Sequence, residues 1–120
     1  MSEFTPAPIR PTVALTALEA LDIRVGTIQR VEAVAHSEKL MKLTVSFGDH
    51  TRSILAGIIK ERSNPREIEG KQALFVLNLE PRKMAGEISE GMLFDIGYAD
   101  GVTPVLAMPE KTVPDGTRAG

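Results

Sequence analysis

A chain of 120 residues with 42% apolar and 25% charged residues has the length of one domain and the composition of an ordinary globular protein. No apolar run approaches the ~20 residues of a membrane span. No basic, then apolar, secretory leader opens the sequence, and zero cysteines exclude disulfides, thiolate nucleophiles and cysteine-bound metals. These features fit a cytoplasmic protein. The formal net charge of −2 argues against a uniformly basic nucleic-acid binder. The charge is uneven, however: residues 21 to 83 carry eleven Lys or Arg against eight acids, and residues 84 to 120 carry two against six. Ordinary scatter over a solvated surface gives such a pattern, and so does a basic face in the middle of the chain.

In chain order, residues 1–13 hold Pro6, Pro8 and Pro11 and are expected to form a flexible arm. Leu15, Leu18 and Leu21 recur at helical spacing, with Thr16 as N-cap and Glu19 three residues on, which predicts a short helix packed under the domain. The β-branched run Asp22–Ala33 predicts a long first strand, bending at Gly26. Alternation over Lys39–Phe47, the turn Gly48-Asp49-His50 and the run Arg52–Ala56 predict a hairpin. Gly57–Arg62 reads equally as a strand end or a helix start. Asn64 followed by Pro65 predicts a helical turn closed by Gly70.

Two apolar runs, Ala73–Leu77 and Met92–Ile96, read as buried strands joined by the long polar stretch Asn78–Gly91. Joining two strands takes only a few turn residues, so so long a link, with Pro81, the adjacent cations Arg82 and Lys83, Gly86 and Gly91, predicts a binding surface. Five strands with one helical turn between the third and fourth is the order of an all-β, five-stranded Greek-key OB-fold barrel, over residues 14–100. Residues 101–120 form a C-terminal extension whose apolar run Val102–Met108 needs a covering surface, and a second copy is the expected cover.

Leu21-Asp22-Ile23-Arg24-Val25-Gly26-Thr27-Ile28 resembles the opening of the tRNA-binding domain found at the C-terminus of many methionyl-tRNA synthetases, in free-standing tRNA-binding proteins and in CsaA-like export chaperones. Lys39-Leu40, Gly57-Ile58, Pro65–Lys71, Asn78–Gly86 and Ser89–Leu93 are similar to its later blocks, in order. The sequence departs from the family at Val34 and Ala35, where His-Pro is common, with His36 displaced. The resemblance implies an OB-fold, a homodimer, recognition of tRNA by shape, no cofactor and no catalytic activity. By position it implies Arg24, Lys39, Asn78, Arg82, Lys83, Ser89 and Met92 as tRNA contacts. It also implies an aminoacyl-tRNA synthetase or unfolded export clients as partners, with a CsaA-like chaperone as the alternative function.

The chemistry of these side chains fits RNA. Arg82 offers a planar fork to phosphate and Lys83 a mobile point charge. Pro81 limits the freedom lost on docking. Asn78 and Ser89 suit a 2′-hydroxyl or base edge, and Met92 a flexible apolar wall. Structural roles compete for several of them: Arg24 and Lys39 as partners of Asp22 or Glu38, Asn78 as a loop cap, Met92 as core. Aromatic residues make up only 4% of the chain, which argues against stacking of single-stranded bases. Two histidines are too few for a three-histidine zinc site, and neither a phosphate-binding Gly-Lys-Ser/Thr loop nor a Gly-x-Ser-x-Gly nucleophile elbow is present.

Overall fold

The computed structural model describes residues 4–58 and 62–120. The middle of the ambiguous Gly57–Arg62 stretch therefore lies outside the described residues. Among the described residues, nine strands, β1 (Ile23–Ala33), β2 (Met41–Ser46), β3 (Thr51–Ala56), β4 (Gln72–Val76), β5 (Arg82–Met84), β6 (Glu87–Ser89), β7 (Met92–Leu93), β8 (Asp95–Ile96) and β9 (Val105–Leu106), form one five-stranded antiparallel sheet, in the order β3-β2-β1-β4-β7, and two separate pairs, β5-β6 and β8-β9. The curled sheet, with a short N-terminal helix α1 (Leu15–Glu19), is an all-β OB-fold.

Strand β1 (Ile23–Ala33) organises the sheet because its two halves serve different partners. Ile23–Thr27 pairs with β4 (Gln72–Val76), and Thr27–Ala33 pairs with β2 (Met41–Ser46). The bend falls where the register shifts between Ile28 and Arg30, just past the expected Gly26. Gly26 is instead a packing site: a Cβ there would lie 2.6 Å from both the Phe47 ring and Val45, so only glycine lets the ring close over the strand. Phe47 then meets Phe75 edge-on, with centroids 5.6 Å apart. The expected hairpin forms from β2 and β3 (Thr51–Ala56). Inward positions of these strands, with Ile68 of the turn Pro65–Ile68, supply the core, in which Ile28, Val31, Leu43, Val45, Ile54, Ile68 and Phe75 are fully buried.

Several local expectations need correction. Ala14, not Thr16, stands at the N-cap of α1 and makes no side-chain cap bond. The helix buries none of its residues, leaving Leu15 and Leu18 exposed instead of packed under the domain. The turn at Pro65–Ile68 is 3-10, and Asn64 precedes it without a side-chain cap bond. The run Met92–Ile96 divides at Phe94 into β7 (Met92–Leu93), which joins β4, and β8 (Asp95–Ile96), which pairs with β9 (Val105–Leu106).

The Asn78–Gly91 link is itself folded. Strands β5 (Arg82–Met84) and β6 (Glu87–Ser89) pair as Arg82↔Ser89, Lys83↔Ile88 and Met84↔Glu87. That register leaves Ala85-Gly86 as a two-residue turn, with φ of 50° and 84°, the positive values a type I′ hairpin demands.

The C-terminal extension lies on its own barrel. Gly116 N–H donates to the Val25 carbonyl (2.7 Å), Val25 N–H to the Thr117 carbonyl (2.9 Å), and Ala119 N–H to the Ile23 carbonyl (2.8 Å). The tail thus occupies the edge of β1 that β2 leaves open. Asp115 Oδ1 accepts from Thr27 Oγ1 (2.6 Å) and Gln72 Nε2 (2.9 Å), and Leu74 N–H donates to the Ala107 carbonyl (3.0 Å). Phe94, Ile96, Val105 and Met108 stay exposed beside it. Among the described residues no helix is long and apolar enough to cross a membrane.

Candidate nucleic-acid interface

The β5-β6 hairpin is held upright by the strand behind it. The Ser89 hydroxyl accepts from Leu55 N–H (3.0 Å) and donates to the Gly91 carbonyl (2.9 Å), and the Glu90 carboxylate accepts from Ser53 N–H (2.9 Å). Arg52 donates from one nitrogen to the carbonyls of Leu77 and Glu90, both at 2.9 Å, stapling β3 to the two ends of the link. Glu87 pairs with Lys42 at 3.4 Å. Two of the three acids of the link are therefore engaged with the barrel, while Arg82 and Lys83 stay exposed.

In front of the hairpin lies a groove of about 590 Å³, within the size range of ligand sites. Its walls are apolar, chiefly Leu40, Leu55, Met84, Met92 and Leu93, with Lys39 and Arg82 as its cations. Strand alternation explains the choice: Arg82 and Met84 share the groove side of β5. Lys83, between them, is exposed but does not line the groove. Lys39 is placed by Ser37, whose hydroxyl accepts the N–H groups of Lys39 (3.2 Å) and Leu40 (3.0 Å). Among the described residues, Lys39, Arg82 and Lys83 make no ion pair.

Of the seven residues expected from sequence, the structure therefore gathers Lys39, Arg82 and Met92 in one groove, with Lys83 beside it. The other three are engaged within the fold. Asn78 accepts from Asp22 N–H through Oδ1 and donates to the Ala20 carbonyl through Nδ2, both at 2.7 Å, tying the end of β4 to the chain leaving α1. Ser89 is buried. Arg24 makes a two-pronged pair with Asp22 (2.8 and 3.2 Å), to which Arg118 of the tail adds a third contact at 3.4 Å. The Arg24 hydrogen bond is the main reason the Asp22 carboxyl is held below its ordinary range, against a smaller opposing effect of burial.

Sequence reasoning missed Met84, Tyr98, Asp95 and Arg52. The sequence held no signal for Met84, because a three-residue strand is too short to show a period. Tyr98, the only tyrosine, lines the groove and is 71% exposed. Asp95 also lines it, and among the described residues its Oδ2 is the one buried side-chain polar atom with no hydrogen-bond partner.

Comparison with known proteins agrees with this architecture. The family model described as "Putative tRNA binding domain" matches residues 23–118. A methionine–tRNA ligase of Phocaeicola vulgatus is 39% identical over 114 residues, which are 94% of this chain and 17% of that protein. One from Chlorobium chlorochromatii is 42% identical over 92 residues, 77% of this chain and 13% of that protein. The chain thus spans less than a fifth of these curated relatives. Among solved structures, the MetRS-related protein from Pyrococcus horikoshii superposes with a TM-score of 0.84 at 32% identity, covering 92% of this chain and all of the other. The chaperone CsaA from Bacillus anthracis does so with 0.80 at 28%, again covering 92% and 100%. A match across nearly the whole barrel and its tail means that the chain belongs to the tRNA binding domain family.

Proposed function

We propose that this chain binds tRNA by its overall shape, without catalysis and as a homodimer, through the groove and the hairpin that overhangs it. The observation that carries this reading is the placement of Arg82 on a braced hairpin, without an ion pair among the described residues, over a groove it shares with Lys39 and Met92. Such cations release counterions when they meet phosphates. Because the hairpin is already folded, little ordering entropy is lost on docking. Arg24, Asn78 and Ser89 serve this surface by shaping the barrel beneath it, and Lys83 by extending its charge. Pairing two copies doubles the cations within one footprint, which offsets the acidic total. Exposed Phe94, Ile96, Val105 and Met108 offer an apolar face for that pairing.

Filter binding to tRNA and to duplex DNA of equal charge, across a salt series, tests the reading. Tighter binding of tRNA is expected, and equal affinity at every salt concentration would overturn it. Arg82→Ala with Lys83→Ala should weaken tRNA binding and shallow the salt dependence by about two phosphate contacts. A synthetase is the partner to seek by co-purification, since the matched segment is a small part of methionine–tRNA ligases.

The apolar walls of the groove favour one second reading, a chaperone that holds unfolded chains. Suppression of client aggregation that competing tRNA leaves unchanged would support it over the first.

A further inference from the structure

Three features of the groove are not used by shape recognition of a phosphate backbone. The chain's only tyrosine, Tyr98, stands 71% exposed on its wall. Asp95, which also lines the groove, has a buried carboxylate oxygen without a partner among the described residues. Apart from the two cations and these two side chains, the lining is apolar and includes Met84 and Met92. A buried acceptor left unpaired carries a desolvation penalty, and folded proteins keep few such atoms. It marks a place where a donor is missing.

We infer that this groove takes one unstacked guanine of the bound RNA. The inference rests on the tRNA-binding reading above and adds a base to it. Tyr98 supplies the face on which the base stacks, and the methionines the opposing apolar wall. Lys39 and Arg82 hold the phosphates on either side of that nucleotide. Asp95 selects the base. Guanine presents N1–H and an exocyclic N2–H side by side, two donors that a carboxylate accepts together. Adenine and cytosine offer one amino group beside a ring-nitrogen acceptor, and uracil one N–H between two carbonyls, so each brings a lone pair against the carboxylate. The terminal torsion of aspartate is broad, so the buried oxygen turns into the groove when the donors arrive. Charge complementarity favours this occupant over an apolar peptide, which gives the two cations nothing to neutralise.

The chain has one tyrosine, so selective isotope labelling of tyrosine makes the Tyr98 ring protons a single NMR reporter of this groove. The probes are the RNA trinucleotides UGU, UAU, UCU and UUU, and UIU, with inosine lacking the 2-amino group. UGU should shift the Tyr98 ring signals upfield and bind about tenfold more tightly than UAU, UCU or UUU, with UIU between. Asp95→Asn should remove the guanine preference while leaving binding of UUU. Tyr98→Leu should weaken all five, and Tyr98→Phe should restore them. Unmoved ring signals, or equal affinity for the five probes in the unaltered protein, would overturn the inference. If tRNA still binds in the filter assay in that case, the pocket alone fails; if tRNA does not bind, the tRNA-binding reading fails with it. An unfolded polypeptide that moves the Tyr98 signals where no trinucleotide does would overturn it too and give the groove to the chaperone reading.

Discussion

Asn78 and Ser89 have the polar groups an RNA contact would use, and the barrel uses both. The residue types were legible in the sequence; their partners were not. The Asn78 amide meets a backbone N–H 56 positions away, and the Ser89 hydroxyl one 34 positions away. Arg24 is similar, since the tail residue that shares Asp22 with it lies at the far end of the chain. Asp22 also sets a pH dependence. Its folded-state pKa is lowered, so its contribution to stability is present above the ordinary carboxylate range and is lost as pH falls through the folded value. Urea midpoints measured from neutral to acid pH should therefore fall more steeply for the parent than for Asp22→Asn, which lacks the titrating group. A second residue-scale prediction concerns Ala85, the one non-glycine residue with positive φ among the described residues. Left-handed backbone costs an L-residue ~1–2 kcal/mol. Ala85→Gly should therefore raise the denaturant midpoint by about 1 kcal/mol of stability, after allowing for the extra freedom of glycine in the unfolded chain.

At the scale of elements, the long strands were legible because alternation and turn residues agree. The hairpin of β2 and β3 and the extended β1 follow from pattern alone. The link from Asn78 to Gly91 reads in the sequence as a polar connection and not as a hairpin, because its three-residue strands are too short to show a period. That distinction decides the site. Read as a loop, Arg82-Lys83 is one cluster of charge; read as a strand, it sends only Arg82 into the groove. Arg52 should be the element's support. Arg52→Ala leaves the part-buried Leu77 carbonyl without its donor, at a cost of ~1–3 kcal/mol, while water replaces the donor at the exposed Glu90 carbonyl. Reduced protease resistance within residues 78–91, and weaker tRNA binding with an unchanged salt dependence, are the expected outcomes. Loss of phosphate contacts would change that dependence instead.

For the whole molecule, the OB-fold follows from the sequence. The route of the extension does not, because its pairing with β1 joins residues about ninety positions apart, beyond any local pattern. Cutting the chain after Asp100 would strip partners from Ile23, Val25, Thr27, Gln72 and Leu74, and so unfold the barrel before it tested any association. The full chain is the better subject. Ile96 and Val105 face each other across β8 and β9 and are 55% and 51% exposed. For the proposed homodimer, Ile96→Glu with Val105→Glu should halve the mass seen by light scattering while the circular dichroism is retained; an unchanged mass would count against this face as the contact.

The same tail sets an order of events in synthesis. The edge of β1 is completed by residues 116–119, so that strand waits for a segment translated about ninety residues after it. A nascent chain stopped short of Gly116 carries that strand with its backbone donors and acceptors bare, open to wrong pairing with a neighbouring polysome product.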